Sequence, residues 1–283
     1  MKRLIKAYVI TAAISLAPAS LSAVEQPSTH RGKGGVEASM ATKPLKLNLP
    51  YARQHRLNAT VVFENAHSGE QFIYYPSRAS TRFSPASTFK IANTLILLEE
   101  KIIPNADTTL PWNGTKHDFS DWNRDHNLRS AFRASCVWFY QQLARRVTDA
   151  KYREYLRQLR FGNASMGKEV DNFWLDGSLK VSALEQIAVL RGIHQQRFAF
   201  SHANYAVLKE VMLSEKTDIY TLYAKTGWAA RSNPQIGWYV GYVETAGDIW
   251  FFALNLDIAG PADLQHRKKL LYAALAELGI IAP

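Results

Sequence analysis

The strongest constraint on this chain is the order in which two kinds of pattern alternate along it. Segments rich in β-branched and aromatic residues lie towards both ends of the 283 residues, and helical periodicity fills the middle. Two strands are expected first, over 59–64 and 71–75, joined by the turn-forming stretch Asn65-Ala66-His67-Ser68-Gly69. Three more are expected late, over 220–225, 236–243 and 249–256, with short polar turns between them that imply antiparallel pairing. Helices are expected onward from Ser87 to residue 98, over 131–147, 151–159, 182–189 and 202–212, and over 263–278, stopping before Gly279. Such a chain buries its apolar faces by bringing its two ends into one sheet. The expected fold class is α+β: a five-stranded antiparallel sheet flanked by helices, with a large all-helical insertion. The sheet-bearing part would cover about 47–85 and 215–283 and the helical part about 86–214, within a single domain over 47–283.

The first 23 residues have the form of a secretory signal. Lys2, Arg3 and Lys6 precede an uncharged apolar run over 7–16, and Ala17-Pro18-Ala19-Ser20-Leu21-Ser22-Ala23 is a small-residue cleavage zone. The apolar run falls short of the roughly 20 residues that a membrane span needs. A leader over 1–23 is therefore expected, then a flexible lead over 24–46 rich in Gly, Ser and Lys. The product is expected to be periplasmic or secreted, with no stable membrane association. The formal charge is +10, and three of those charges lie in the leader. The remaining basic residues are scattered, without the stripe and interleaved aromatics of a nucleic-acid surface, so no nucleic-acid partner is expected. The single cysteine, Cys136, excludes an internal disulfide. Its apolar run Cys136-Val137-Trp138-Phe139-Tyr140 suits a buried, inert thiol. The eight histidines include no His-x-His or His-x-x-x-His pair, so no metal site is expected.

Chemistry enters at Ser84-Pro85-Ala86-Ser87-Thr88-Phe89-Lys90, just before an apolar helix. A serine and a lysine three residues apart share one helical face. The hydroxyl needs a base to become a nucleophile, and lysine serves only when burial keeps it neutral. Phe89, Ile91 and Leu95 supply apolar surroundings. The spacing alone proves little, since Ser165-Met166-Gly167-Lys168 has the same form. Ser87 differs in its company. Ser135-Cys136-Val137 follows in the helical region, and Lys225-Thr226-Gly227 ends an expected strand. The three elements, in that order, are the signature of serine enzymes that react with penicillins. The glycine of the third lets a ligand approach the strand closely.

With these motifs the chain resembles the class D, oxacillinase-type β-lactamases. The resemblance is carried by Ser87-Thr88-Phe89-Lys90, Ser135-Cys136-Val137, Phe161-Gly162-Asn163, Phe173-Trp174-Leu175 and Lys225-Thr226-Gly227, together with Trp122-Asn123-Arg124-Asp125-His126-Asn127-Leu128 and Ile236-Gly237-Trp238-Tyr239-Val240-Gly241. It covers roughly residues 60–278. Phe161 departs from the family, which usually has tyrosine there, so that motif is assigned a structural role. Class A relatives carry Ser-Asp-Asn in the second motif and a Glu-x-x-Leu-Asn segment; neither occurs here.

The resemblance implies the fold shared by serine β-lactamases and penicillin-binding transpeptidases. It implies Ser87 as nucleophile and Lys90 as general base, the latter carboxylated by carbon dioxide rather than served by a bound cofactor. Val137, Trp174 and Leu175 would form the carbamate pocket, with the Trp174 indole N–H as donor. Backbone N–H groups of Ser87 and Trp228 would form the oxyanion hole. Ser135 would relay a proton to the leaving nitrogen, and Lys225, Thr226, Gly227, Trp228 and Arg267 would bind substrate, a small-molecule β-lactam. The protein would act as a monomer or homodimer and confer antibiotic resistance. The alternative is a penicillin-binding sensor domain that is acylated and does not turn over. Such sensors tend to carry a polar residue where Val137 stands.

Overall fold

The computed structural model describes residues 43–281. The leader over 1–23, and the lead as far as residue 42, lie outside the described residues. One sheet of seven strands organises the rest, in the order β1-β3-β2-β7-β6-β5-β4. The strands are β1 (Leu45–Lys46), β2 (Ala59–Asn65), β3 (Gln71–Tyr74), β4 (Leu213–Lys216), β5 (Tyr220–Ala229), β6 (Gln235–Thr245) and β7 (Ile249–Ile258). The chain ends meet where β2 pairs antiparallel with β7, Val61 opposite Leu254 and Phe63 opposite Phe252.

The sheet corrects the expectation of five antiparallel strands. It has seven, and it is mixed, because β1 runs parallel to β3. The two unforeseen strands are both sheet edges. Leu45 and Lys46 are exposed, as is most of β4. An edge strand that buries no face carries no apolar alternation, so it is held by ladder hydrogen bonds that the sequence does not display. The first strand, Leu45–Lys46, falls inside the expected lead.

Nine α-helices occur among the described residues: α1 (Pro50–Gln54), α2 (Pro76–Ala79), α3 (Lys90–Glu99), α4 (Leu128–Arg133), α5 (Val137–Ala144), α6 (Asp149–Gln158), α7 (Ala183–His194), α8 (His202–Met212) and α9 (His266–Glu277). No helix among these residues is long and apolar enough to cross a membrane. Strand periodicity divides the core in two. Val61, Phe63, Phe252, Leu254 and Leu256 face α1 and α9, while Val62, Phe251 and Ala253 face the helical side with α3 and α7. Because β2 is covered on both faces, all seven of its residues are buried.

Two departures in the helices bear on the site. The expected helix over 131–147 is broken into α4 and α5. Ser135 lies in the break with φ of 58°, in the left-handed region that a continuous helix cannot accommodate. The expected helix from Ser87 begins as a 3-10 turn, Ala86–Phe89, and becomes α-helical only at Lys90.

Candidate active site

Helix α3 is apolar nearly all round (Lys-Ile-Ala-Asn-Thr-Leu-Ile-Leu-Leu-Glu), and its residues from Lys90 to Leu98 are all buried. A helix of that composition must be packed on every side, so the lysine in its first turn is carried into a dry interior. Lys90 is 1% exposed. Its Nζ donates to Ser87 Oγ at 2.9 Å and lies 5.2 Å from the centre of the Tyr140 ring. Burial lowers its pKa to about 7, slightly offset by the nearby Cys136. The same dryness pushes the Cys136 thiol up to about 11, so it stays protonated and inert. The lookalike Ser165-x-x-Lys168 lies in irregular chain with Lys168 exposed.

Ser135 and Lys225 approach from opposite sides. The break between α4 and α5 turns Ser135 towards β5, and Lys225 Nζ donates to Ser135 Oγ at 2.8 Å. Lys225 is also buried, and its pKa is held well below the usual lysine value by desolvation first, then by charge repulsion from the ammonium form of Lys90 and from Arg267. Arg267, at the start of α9, donates from Nη1 to the Gly227 carbonyl at 2.9 Å and from Nε to the Leu264 carbonyl at 2.9 Å. Burial lowers it to about 10, so it remains cationic at neutral pH. Among the described residues none of Lys90, Lys225 and Arg267 forms a salt bridge. The desolvated positive charge of Arg267, without a counter-charge, is a receptor for an anion.

Gly227 explains how β5 passes so near the nucleophile. A Cβ there would lie 3.0 Å from the Pro85 carbonyl oxygen and 3.0 Å from Thr88 Cγ2, both beside Ser87. A cleft of ≈ 450 Å³ opens at this junction. Ser87, Ser135, Val137, Leu175, Thr226, Gly227, Trp228 and Arg267 line it. Lys90, Trp174 and Lys225 stand buried behind that lining. The structure thus brings together the residues expected for catalysis, the carbamate pocket and substrate binding.

The segment carrying Trp174 and Leu175 is irregular and needs external anchors. Ser84 Oγ donates to the Trp174 carbonyl at 3.1 Å, while the Ser84 carbonyl accepts from Trp238 Nε1 at 2.9 Å. Gln141 of α5 and Arg145, at its C-terminal cap, hold Asp171. Asn163 of the Phe161-Gly162-Asn163 motif accepts from the Lys180 N–H at 2.9 Å and donates to the Ser178 carbonyl at 2.8 Å. Phe161 itself meets Phe89 edge-on at 5.3 Å between ring centres, a packing role. Trp174 stacks on Phe89 at 5.8 Å and is 1% exposed, yet its indole N–H has no acceptor. A buried donor without a partner costs about 1–3 kcal/mol, so this one fits a group that brings its own acceptor.

Three contributors escaped the sequence reading. Tyr140 walls Lys90, Phe132 lies 5.5 Å beneath Lys225 Nζ, and Arg231 donates to Asn172 Oδ1 at 3.0 Å, tying the loop after β5 to the Trp174 segment. Each acts through contact across the fold and belongs to no local motif.

Residues 40–276 match the family described as penicillin binding protein transpeptidase domain. The chain is 37% identical over 228 residues to β-lactamase OXA-48 of Klebsiella pneumoniae, which spans 81% of this chain and 86% of that one. It is 36% identical over 208 residues to β-lactamase OXA-10 of Pseudomonas aeruginosa, 72% of this chain and 78% of the other. Among solved structures, the class D β-lactamase YbXI from Nostoc superposes with a TM-score of 0.81 at 36% identity, over 83% of this chain and 100% of that one. FUS-1 (OXA-85) from Fusobacterium nucleatum subsp. polymorphum gives 0.79 at 38%, over 81% and 96%. With the catalytic motifs assembled in one cleft and these relationships spanning most of its length, the chain belongs to the class D β-lactamases, within the penicillin-binding transpeptidase family.

Proposed function

We propose that this protein hydrolyses β-lactam rings through an acyl-enzyme on Ser87, with Lys90 carboxylated by carbon dioxide. The observation that carries the proposal is the state of Lys90: an amine buried in a dry pocket, lowered to about 7, and bonded to Ser87. Only the neutral amine adds carbon dioxide, and each addition forms one N–C bond and releases one proton. The residues present fit the resulting carbamate. The unpaired Trp174 indole N–H would donate to it, and Val137 and Leu175 would shelter it from water. When present it supplies a carboxylate base for the Ser87 hydroxyl and, later, for the deacylating water.

The remaining steps fall to the chain's own groups. Arg267, Lys225 and Thr226 hold the substrate carboxylate, which places the lactam carbonyl over Ser87. Ser87 Oγ forms a bond to that carbon as its proton leaves. The oxyanion settles on the backbone N–H groups of Ser87 and Trp228, each such donor being worth about 3 kcal/mol in well-studied enzymes. The ring C–N bond breaks as Ser135 passes a proton to nitrogen and is resupplied through Lys225. Water then cleaves the ester and restores Ser87. Export after loss of the leader, and protection of the cell from β-lactams, complete the proposal.

The test is turnover of a chromogenic cephalosporin by the purified protein. Many turnovers per molecule, accelerated by bicarbonate and abolished in Ser87→Ala, are expected. A single burst of acylation without turnover would favour the sensor alternative. Rates indifferent to bicarbonate, with no carbamate signal after labelling with 13C-bicarbonate, would overturn the role of carbon dioxide.

A further inference from the structure

Ser135 holds a backbone conformation that its own side chain disfavours. A non-glycine residue in the left-handed region is strained by its Cβ, and such a residue persists only where its surroundings hold it. The peptide plane between Ala134 and Ser135 sets that φ, and both of its polar ends are pinned. The Ser135 N–H donates to the Phe132 carbonyl at 3.1 Å, within the end of α4. The Ala134 carbonyl accepts from Trp122 Nε1 at 2.9 Å, from outside the helix.

Trp122 is in turn fixed from the far side of the break. Its carbonyl accepts from Trp138 Nε1 at 2.8 Å. Trp122 thus bonds the residue before Ser135 and the residue three after it, bridging the two helices that flank the turn. Its neighbours are held as firmly. Asn123 both donates to the His117 carbonyl and accepts from the His117 N–H. Buried His126 donates from Nε2 to the Asp121 carbonyl at 2.9 Å and packs on Trp138. Trp122 is half-buried, and one side of it lines the cleft.

We propose that Trp122 is a positioning residue: its indole N–H orients the Ala134–Ser135 peptide so that the Ser135 hydroxyl stays on Lys225 and faces the leaving nitrogen. The role assigned to Trp122 rests on Ser135 acting as the proton relay. A purely apolar wall would need the ring but not the N–H, and would not need its carbonyl tied to Trp138.

A double-mutant cycle on acylation separates these roles. Single-turnover acylation by a penicillin, at saturating bicarbonate, is measured for the unmodified protein, Trp122→Phe, Ser135→Ala and the double variant. Loss of one buried hydrogen bond acting through Ser135 is expected to slow acylation about tenfold in Trp122→Phe. In the Ser135→Ala background the same substitution should change the rate by less than about twofold, since coupled residues are not additive. Equal losses in both backgrounds would overturn the proposal and leave Trp122 as a wall of the cleft. Unimpaired acylation in Ser135→Ala would remove the proton relay itself, and the positioning role with it. If Trp122→Phe melts too early to assay, Trp138→Phe, which frees the Trp122 carbonyl, should show the same dependence on Ser135; its absence there would equally overturn the role.

Discussion

Lys225 donates a 2.8 Å hydrogen bond to the hydroxyl of Ser135, a residue 90 positions earlier in the chain. One partner sits in a turn between two helices, the other on a strand of the sheet, and the bond closes the cleft between those halves. It leaves the Ser135 hydroxyl hydrogen free to point towards a leaving group. Replacing Ser135 with alanine removes the relay and leaves the nucleophile intact. Acylation is expected to slow by about 10²-fold or more, the range for loss of a general acid or base. Mass-spectrometric timing of acyl-enzyme formation measures this; acylation at the unmodified rate would contradict it.

The pH dependence follows from Lys90. Its pKa in the fold, about 7, lies below the ordinary 10.5 because burial disfavours the ammonium. As pH falls through about 7 the amine takes up a proton and loses its capacity to hold carbon dioxide. Turnover is expected to decline on that acidic limb, and added bicarbonate should move the midpoint to lower pH. Stability has the same sign. Between about 7 and 10.5 the unfolded chain binds the extra proton, so resistance to urea from this group rises with pH across that window. A midpoint unmoved by bicarbonate would count against the carbamate.

Trp174→Phe keeps a ring stacked on Phe89 and removes the unpaired indole N–H. Without carbon dioxide the variant should be as stable as the parent or slightly more so, because an unsatisfied buried donor disappears. Its bicarbonate requirement should rise by about tenfold, the worth of one hydrogen bond to a charged group. Melting curves and bicarbonate titrations of turnover test the two halves separately.

Arg267→Ala should lower kcat/KM by about 10- to 100-fold, through loss of a charge-assisted contact to the substrate carboxylate. A substrate esterified at that carboxylate has no charge to lose, so it should be processed equally by both proteins. Equal sensitivity of acid and ester would assign Arg267 to holding the Gly227 carbonyl instead.

Gly162→Ala should destabilise the fold by about 3 kcal/mol or more, the range for a strained backbone site that must also shift. Gly162 has φ of 53°, and a Cβ there would lie 1.9 Å from the Lys180 carbonyl oxygen. Because the adjacent Asn163 holds Ser178 and Lys180 in the segment after Trp174, a shift here should worsen bicarbonate dependence as well. Chemical denaturation and turnover assays check both effects.

Much of this protein was legible in its residues. Five strands, the helical middle, and the trio Ser87–Lys90, Ser135 and Lys225–Gly227 all follow from local pattern. Each reflects a rule acting over a few residues: alternation for a half-buried strand, a three-residue spacing for a shared helical face, a glycine where a chain must pass closely. The sequence by itself determined which groups are available for chemistry and in what order.

Only the tertiary structure decided their state. Edge strands β1 and β4 escaped notice because they bury no face, and the break at Ser135 escaped because a left-handed serine has no local signature. The apolar neighbours Phe89, Ile91 and Leu95 do not by themselves desolvate Lys90. Enclosure of α3 by the rest of the fold does so, placing Tyr140 over the amine and Trp174 against Phe89. The gathering of Lys90, Lys225 and Arg267 with no salt-bridge partner among the described residues is likewise a product of assembly, since the three are remote in the chain. Desolvation and charge coupling depend on what surrounds a group in space, and that is settled only when the two ends of the chain close into one sheet.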